Sequence, residues 1–198
     1  MNVTLLTSPA SFKDMEKFAA IAALTCRANT DKEYVPHEVL GRIIKAGHES
    51  VLEHITLTYS VKEISRACLQ ELARHRHISL SVESTRHTLK EFLSNQKGMA
   101  LMIGSSIMPN AMVIAQLLNI YENNPDMSND ELKYYLPEFW PTNLVMTVNI
   151  RELRHIIKLR SAPAALDEFR VLARELFNAV PEEFRYLLQD CVYKEAKE

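Results

Sequence analysis

The 198-residue sequence predicts one α+β domain spanning residues 1–198. Two kinds of periodicity support this fold class. Apolar and polar residues alternate through residues 55–62, which is typical of a half-buried strand, whereas most other apolar positions recur at helical spacing. The length and the apolar fraction of 47% suit one ordinary core, and no repeat or linker interrupts the chain.

The first half of the chain carries clear local signals. Pro36 suits a first helical position, where the N–H that proline lacks would be unbonded anyway, and Ser65 suits a helix cap. The expected elements are a strand at 1–7, a helix at 12–26, a helix from Pro36 to Gly47, a strand at 55–62, a helix from Arg66 to about Arg76, and an ordered loop at 77–87.

The second half is expected to be mainly helical, with one further strand. Ser128 and Glu131 form the two ends of a capping box, and Asn149 suits a helix cap. The expected elements are apolar stretches at 98–124 around a turn at 108–110, a short helix from Ser128 that ends before Pro137, a strand at 144–148, a helix from Asn149 through Leu159, and helices around 164–180 and from Pro181 onward.

Composition excludes several function classes. The chain has 23 Lys+Arg against 25 Asp+Glu, no run long enough to span a membrane, and no signal peptide at its start. Cys26, Cys68 and Cys191 are odd in number and scattered, which argues against a disulfide framework or zinc ribbon and predicts reduced thiols and a cytoplasmic location. Four glycines cannot assemble a Rossmann loop or P-loop.

The segment 74–87 is the most informative stretch. It combines three guanidiniums, three imidazoles and four hydroxyls around one acid: Arg74, Arg76, Arg86, His75, His77, His87, Ser79, Ser81, Ser84, Thr85 and Glu83. Guanidiniums bind phosphate with two parallel hydrogen bonds, and hydroxyls add donors, so the segment is interpreted as an anion site. The alternative is a solvated loop after a helix C-terminus, where positive charge is favoured.

Two further segments carry polar clusters. His48–His54 lies at a predicted loop-to-strand junction, where a metal site with the histidines of 74–87 is conceivable but hydrogen-bonded packing is favoured, so no metal is assigned. The predicted helix at 149–160 has a basic face, yet a chain without basic excess or interleaved aromatic residues is an unfavourable nucleic-acid binder. No nucleophile stands out, because Cys68 is expected to be buried and Ser84 lacks flanking glycines.

Three motifs in this order resemble the flavin-dependent thymidylate synthase family. Its signature of Arg-His-Arg, seven residues and then Ser corresponds to Arg74-His75-Arg76 and Ser84, with Arg86 two residues further on. Residues 47–54 are similar to its GHxSxxEH element, and residues 147–151 and 159–160 to its TVNxR and LR elements. The resemblance covers residues 20–90 and 133–175, and three ordered motifs are more specific than one.

The resemblance implies a mainly antiparallel central sheet packed with helices, and a homotetramer with shared active sites. It implies reductive methylation of dUMP to dTMP, in which methylenetetrahydrofolate supplies the carbon, NADPH the reducing equivalents, and FAD passes the hydride. An enzymic cysteine nucleophile is not required, because a guanidinium near the uracil carbonyls would stabilise the developing negative charge.

The resemblance also implies roles for individual residues. FAD-contacting positions are His48, Ser50, Glu53, Arg74, His75, Arg76, Asn149, His155 and Arg160. Nucleotide-contacting positions are Glu71, Arg74, Ser84, Thr85, Arg86, Lys133 and Arg160. The catalytic set within these groups is Arg74, Ser84, Arg86 and Arg160.

Several positions depart from the family pattern. Ser81-Val82 replaces Asn-Glu, Glu71 replaces Gln, Lys133 replaces Arg, His87 replaces Tyr, and His155 and Ala164 replace an Asn and a His that approach the flavin. Every motif arginine is retained. The alternative hypothesis is therefore a divergent member of the fold that binds flavin or nucleotide without turnover.

Overall fold

The computed structural model describes residues 1–28, 33–94 and 111–193, so the expected turn at 108–110 lies outside the described residues. The elements are β1 Asn2–Leu5, α1 Pro9–Thr25, α2 Pro36–Lys45, a 3-10 helix Glu49–His54, β2 Thr56–Ser65, α3 Arg66–Ala73, β3 Ile78–Val82, α4 Thr85–Ser94, α5 Ala111–Asn123, α6 Asn129–Leu132, a 3-10 helix Lys133–Tyr135, β4 Pro141–Asn149, α7 Ile150–Arg160, α8 Asp167–Asn178 and a 3-10 helix Glu182–Leu187.

The four described strands form one antiparallel sheet in the order β1-β2-β4-β3, which confirms the predicted sheet type. Leu57, Tyr59 and Val61 of β2 are fully buried, and the alternation read from the sequence produces this buried face. A bulge interrupts the β2–β4 register after Val61, where Glu63 adopts φ +60° and its N–H donates to Asn143 Oδ1. The sheet thus offers one apolar face to the helices.

Two apolar clusters stabilise the described residues. The larger one joins the sheet to α1, α2, α3, α7 and α8, and includes Phe12, Leu72 and Phe169. The smaller one is built from Leu89, Leu93, Ile114, Leu117, Leu132 and Trp140, and it supports α4. The prediction of one domain across 1–198 stays a prediction, because residues 29–32, 95–110 and 194–198 lie outside the described ranges.

The predicted loop at 77–87 is wrong. Ile78, Leu80 and Val82 alternate with serines, and this segment is strand β3, whose Leu80 pairs with Met146 of β4. Residues from Thr85 onward form α4, because Leu89 and Leu93 share one face and bury it in the smaller cluster. Strands rich in serine and short helices give weak local signals, so the sequence pattern did not indicate either element.

Two helix ends also differ from prediction. The helix capped by Ser65 stops at Ala73 rather than near Arg76, and the segment after Pro181 is the 3-10 helix Glu182–Leu187. The three caps are confirmed: the side chains of Ser65, Ser128 and Asn149 accept from the backbone N–H three residues on. A membrane-crossing helix is not found among the described residues.

Candidate active site

The end of α3 and the inner face of α7 meet at His75, whose ring is buried. Its Nδ1 lies 3.1 Å from Glu152 Oε1, and its Nε2 accepts a hydrogen bond from Arg160 Nε at 3.1 Å. The ring edge packs against Phe169, with 5.9 Å between centroids. Glu152, His75 and Arg160 therefore form a row of hydrogen-bonded groups in a contact that is otherwise apolar.

Glu71 brings the two predicted arginines of this region together. Arg160 Nη1 donates to Glu71 Oε2 at 2.8 Å, and Arg74 Nη1 donates to Glu71 Oε1 at 3.2 Å. The Arg160 guanidinium also lies over the Phe169 ring, 4.8 Å from its centroid. The hydrogen bond from Arg160 lowers the pKa of Glu71, and Arg74 adds to the effect. Glu71 therefore holds both guanidiniums as an anion.

His75 is neutral at neutral pH. Burial lowers the pKa of its ring, and the charge of Arg160 lowers it further, against the opposing bond to Glu152. A guanidinium N–H only donates, so His75 Nε2 must carry a lone pair and Nδ1 must carry the proton. The proton points to Glu152, which fixes one tautomer.

Metal binding is a second possibility for the same residues. His75, Glu152 and His155 offer ligand atoms that lie within 4.8 Å of one another. Both nitrogens of His75 are already engaged, however, and the Arg160 guanidinium beside them disfavours another cation. The arrangement fits a hydrogen-bonded chain better than a metal centre.

A cleft of about 650 Å³ opens between the 3-10 helix Glu49–His54, α7 and the C-terminal segment. It is lined by Ile44, Glu49, Glu53, His77, Asn149, Arg151, Glu152, Arg154, His155, Lys158, Asp190 and Cys191. Three of the predicted FAD-contacting residues, Glu53, Asn149 and His155, therefore share one cavity. The exposed Arg151 pairs with Glu53 at 2.6 Å and joins α7 to the 3-10 helix.

Arg154 forms the buried wall of this cleft. Its guanidinium donates two bonds of 2.7 Å to Asp190, two bonds of 3.1 and 3.0 Å to Glu49, and one to the Leu187 carbonyl. Burial would lower the pKa of Arg154, but the bonds to Asp190 and Glu49 outweigh it and raise that pKa. The basic solvent face expected at 149–160 is thus incomplete, because Arg154 points inward.

A second cationic group surrounds Asp130. Arg86 Nη2 lies 2.9 Å and Lys133 Nζ 3.2 Å from its carboxylate, whose pKa is lowered first by the bond from Lys133. The Asn129 amide donates to the Arg86 carbonyl at 2.8 Å and ties α6 to α4. Arg86 and Lys133, both predicted nucleotide contacts, are therefore adjacent.

Strand β3 separates the two groups of predicted nucleotide contacts. Arg74 precedes β3, whereas Ser84, Thr85 and Arg86 follow it. Five strand residues span roughly 17 Å at about 3.3 Å each. His48, Ser50 and Arg76 are exposed around these groups. The predicted site residues thus form separate groups within one chain.

Comparisons with known proteins decide the family. A family model described as thymidylate synthase complementing protein matches residues 6–184. The flavin-dependent thymidylate synthase of Campylobacter jejuni (strain RM1221) is 40% identical over 182 residues, covering 86% of this chain and 85% of that protein. That of Helicobacter pylori is 38% identical over 177 residues, covering 82% and 83%. The chain belongs to the flavin-dependent thymidylate synthase family.

Structural similarity agrees with the family assignment. A solved structure of the family member thymidylate synthase X from Helicobacter pylori, described with FAD and dUMP, aligns with TM-score 0.83 and 31% identity. The alignment covers 98% of this chain and 100% of that chain. The predicted family fold is confirmed.

The cysteines of this family member are not placed for nucleophilic work. Burial raises the pKa of Cys68 to about 12 and that of Cys191 to about 11. Cys26 is exposed at the end of α1 and is not part of the cleft lining.

Among the residues that line the cleft, His77, Arg151, Glu152 and Lys158 received no cofactor or substrate role from the sequence. Arg151 lies inside the TVNxR element, and Glu152 follows it directly, so proximity to a motif was the available signal. That signal does not say which side of α7 a residue faces. Packing against α3 decides that Glu152 points to His75.

Proposed function

We propose that this chain is a flavin-dependent thymidylate synthase that methylates dUMP to dTMP, using methylenetetrahydrofolate, FAD and NADPH. The observation that carries the proposal is the pair of guanidiniums of Arg74 and Arg160, held on Glu71 beside the buried neutral ring of His75. The relatives named flavin-dependent thymidylate synthase, and the Helicobacter pylori structure described with FAD and dUMP, support it.

The cleft fits FAD by size and by chemistry. Its volume of about 650 Å³ is that of a typical cofactor site. Arg151 and Lys158 supply cations for the pyrophosphate, while Asn149 and His155 supply hydrogen-bonding groups for the ring system. His48, Ser50, Glu53, Arg74, His75 and Arg76 complete the proposed FAD set. FAD supplies the hydride chemistry when bound.

Arg74 and Arg160 are proposed to act on the uracil ring. Both bond to Glu71 through terminal Nη atoms, and a uracil carbonyl can replace one of these partners. Arg160 is half-buried, so its charge acts through a lower effective dielectric than water. A fixed guanidinium at this position stabilises the negative charge that develops when carbon five becomes nucleophilic.

The phosphate is assigned to Ser84, Thr85, Arg86 and Lys133. Arg86 lies in the first turn of α4, so the backbone N–H groups of that turn add to its charge. Asp130 holds Arg86 and Lys133 together in this arrangement. A dianionic phosphate competes with that single carboxylate for two cations.

We propose that the site is shared between copies in a homotetramer. Strand β3, roughly 17 Å long, lies between Arg74 and Ser84 in the chain, which favours uracil and phosphate contacts to one dUMP from two different chains. A cytoplasmic location, which three free cysteines suit, and a single domain over residues 1–198 are part of the proposal.

Three measurements on the purified chain test the proposal. The protein should carry or take up FAD, visible as flavin absorbance, and should release tritium from dUMP labelled at carbon five. Arg86→Ala is the control that should lower release. Mixing inactive Arg86→Ala with inactive Arg160→Ala should restore part of the activity, because some mixed sites receive both intact arginines. Absence of flavin uptake contradicts the enzyme, and absence of restoration contradicts sharing.

One observation favours the alternative of binding without turnover. Glu71 occupies Arg74 and Arg160, where the family pattern has an amide that could itself donate. Flavin uptake and dUMP binding with no tritium release would support that alternative.

A further inference from the structure

The donors of Arg160 divide into two sets with different partners. Nε donates to the neutral His75 ring at 3.1 Å, whereas Nη1 and Nη2 face Glu71, at 2.8 Å to its carboxylate and 3.4 Å to its carbonyl. Partners of the Nη atoms can exchange with a ligand while Nε stays bound. The bond to His75 therefore fixes the plane in which Arg160 presents its two Nη groups.

That bond exists in only one protonation state of His75. If Nε2 carried the proton, two N–H groups would face each other and the contact would be repulsive. Glu152 Oε1 accepts a hydrogen bond from the Nδ1–H group, and its side chain is almost as buried as that of His75, so little water competes. The carboxylate thus selects the tautomer that leaves Nε2 free to accept.

We infer that Glu152 is a positioning residue for Arg160, acting through His75 to aim the guanidinium at the uracil ring. The inference rests on the proposed function for the identity of the ligand, and on the hydrogen-bonded chain Glu152–His75–Arg160 for its mechanism. Glu152 also lines the cleft proposed for FAD, so measurements on the ligand-free protein separate its effect on Arg160 from any effect on FAD. Its effect travels through two hydrogen bonds.

Glu152 has a second possible role, stabilisation of helix α7, which an experiment must distinguish from positioning of Arg160. It lies in the first turn of α7, where a carboxylate stabilises the helix whatever its partner. Glu152→Asp keeps this charge but shortens the side chain by one methylene, so a helix role would survive and the contact to Nδ1 would be lost. Glu152→Leu removes both. Glu175→Gln, on the surface of α8 beside Arg174, is the control for loss of a carboxylate.

Nitrogen-15 NMR of the ligand-free protein detects the hydrogen bonds between Glu152, His75 and Arg160 directly. Wild-type His75 should show the Nδ1–H tautomer, and the Arg160 Nε–H should exchange slowly with water. The signals are assigned by their loss in His75→Gln and Arg160→Lys. In Glu152→Asp and Glu152→Leu we expect mixed tautomers and about tenfold faster exchange at Arg160 Nε, because an orphaned buried N–H is costly. Glu175→Gln should match the wild type.

Titration of dUMP into the flavin-loaded protein provides the functional measurement. Both Glu152 variants should bind dUMP about tenfold more weakly, as expected for loss of a hydrogen bond that orients a charged group. Unchanged tautomer and exchange in both variants overturn the inference. A wild-type protein with the expected NMR signals but no affinity for dUMP overturns the proposed function instead, so the two failures are distinguishable.

Discussion

Arg154 and Arg160 lie on the same helix, α7, yet they differ in exposure and in their hydrogen-bond partners. Arg154 is 4% exposed, and its donors are committed to Asp190, Glu49 and the Leu187 carbonyl. Arg160 is more exposed and bonds to one neutral ring and to one carboxylate that Arg74 also uses. Arg154 therefore joins three segments, whereas Arg160 keeps partners that a ligand can replace.

The difference shows what makes an arginine available for function. Both residues carry the same charge on the same helix, so neither property separates them. The saturation of Arg154 by two carboxylates leaves no hydrogen-bonding capacity for a ligand, and the sharing of Glu71 leaves Arg160 only partly neutralised. Availability depends on the partners, which come from distant parts of the chain.

The largest expected effect is on stability, from Arg154→Met. The substitution leaves the Leu187 carbonyl and the partly exposed carboxylates of Glu49 and Asp190 without their shared donor, and losing all five hydrogen bonds of a buried guanidinium costs about 3 kcal/mol of unfolding free energy. Denaturant unfolding measures the loss. Arg174→Met, in a surface pair with Glu175, is the control and should cost less than about 0.5 kcal/mol. A loss below about 1 kcal/mol for Arg154→Met would erase the contrast between the two arginines.

Arg160→Lys should lower activity strongly and stability only slightly, the opposite of the pattern expected for Arg154→Met. Lysine keeps the charge but has no second prong to bond His75 and Glu71 together, so tritium release from dUMP should fall about a hundredfold. Unfolding free energy should fall by about 1 kcal/mol, less than for Arg154→Met, because the Glu71 carboxylate stays partly exposed and only the buried His75 Nε2 loses its donor. Arg174→Lys serves as the control. Full activity with large destabilisation would show that Arg160 is structural, as Arg154 is.

A smaller effect is expected from Glu71→Gln, which removes the anion that competes with the nucleotide. Binding of dUMP should tighten about fivefold at low salt, and less at high salt, measured by titration calorimetry. The ion pairs of Glu71 lower its pKa in the folded protein. Their stabilisation of the wild type is therefore complete above the pKa of Glu71 in the unfolded chain, and it is lost as the pH falls through the lower pKa of Glu71 in the folded protein. In Glu71→Gln, the free energy of unfolding should no longer show this loss at acidic pH. Glu138→Gln, whose carboxylate bonds only a neutral amide of Gln70 in the described structure, is the matched control, and weaker binding in Glu71→Gln would refute the competition.

Local signals predicted the elements that depend on local chemistry. Ser65, Ser128 and Asn149 act as caps because a short side chain reaches a nearby N–H, and the alternation in β2 is visible without any partner. Strand β3 was missed because its stability comes from pairing with β4, more than 60 residues later. The inward direction of Arg154 depends on Glu49 and Asp190, which no local window contains.

The family motifs do not predict how their residues are held in place. Arg160 bonds to His75 and shares Glu71 with Arg74, but Glu152 beside His75 and Asp130 between Arg86 and Lys133 belong to no motif. Both acids set the charge and orientation of motif residues. A motif lists what touches the ligand, whereas these contacts determine how the motif residues are held.

Strand β3 also restricts how this part of the chain can change in length. Inserting or deleting one residue would turn every later side chain of the strand to the opposite face of the sheet. A change of two residues would restore the faces but shift Ser84 by about 7 Å relative to α3. The seven residues between Arg76 and Ser84 are therefore a fixed interval. Insertions that a surface loop would accept would here move Ser84 and Arg86 relative to Arg74, and so separate the two proposed groups of nucleotide contacts.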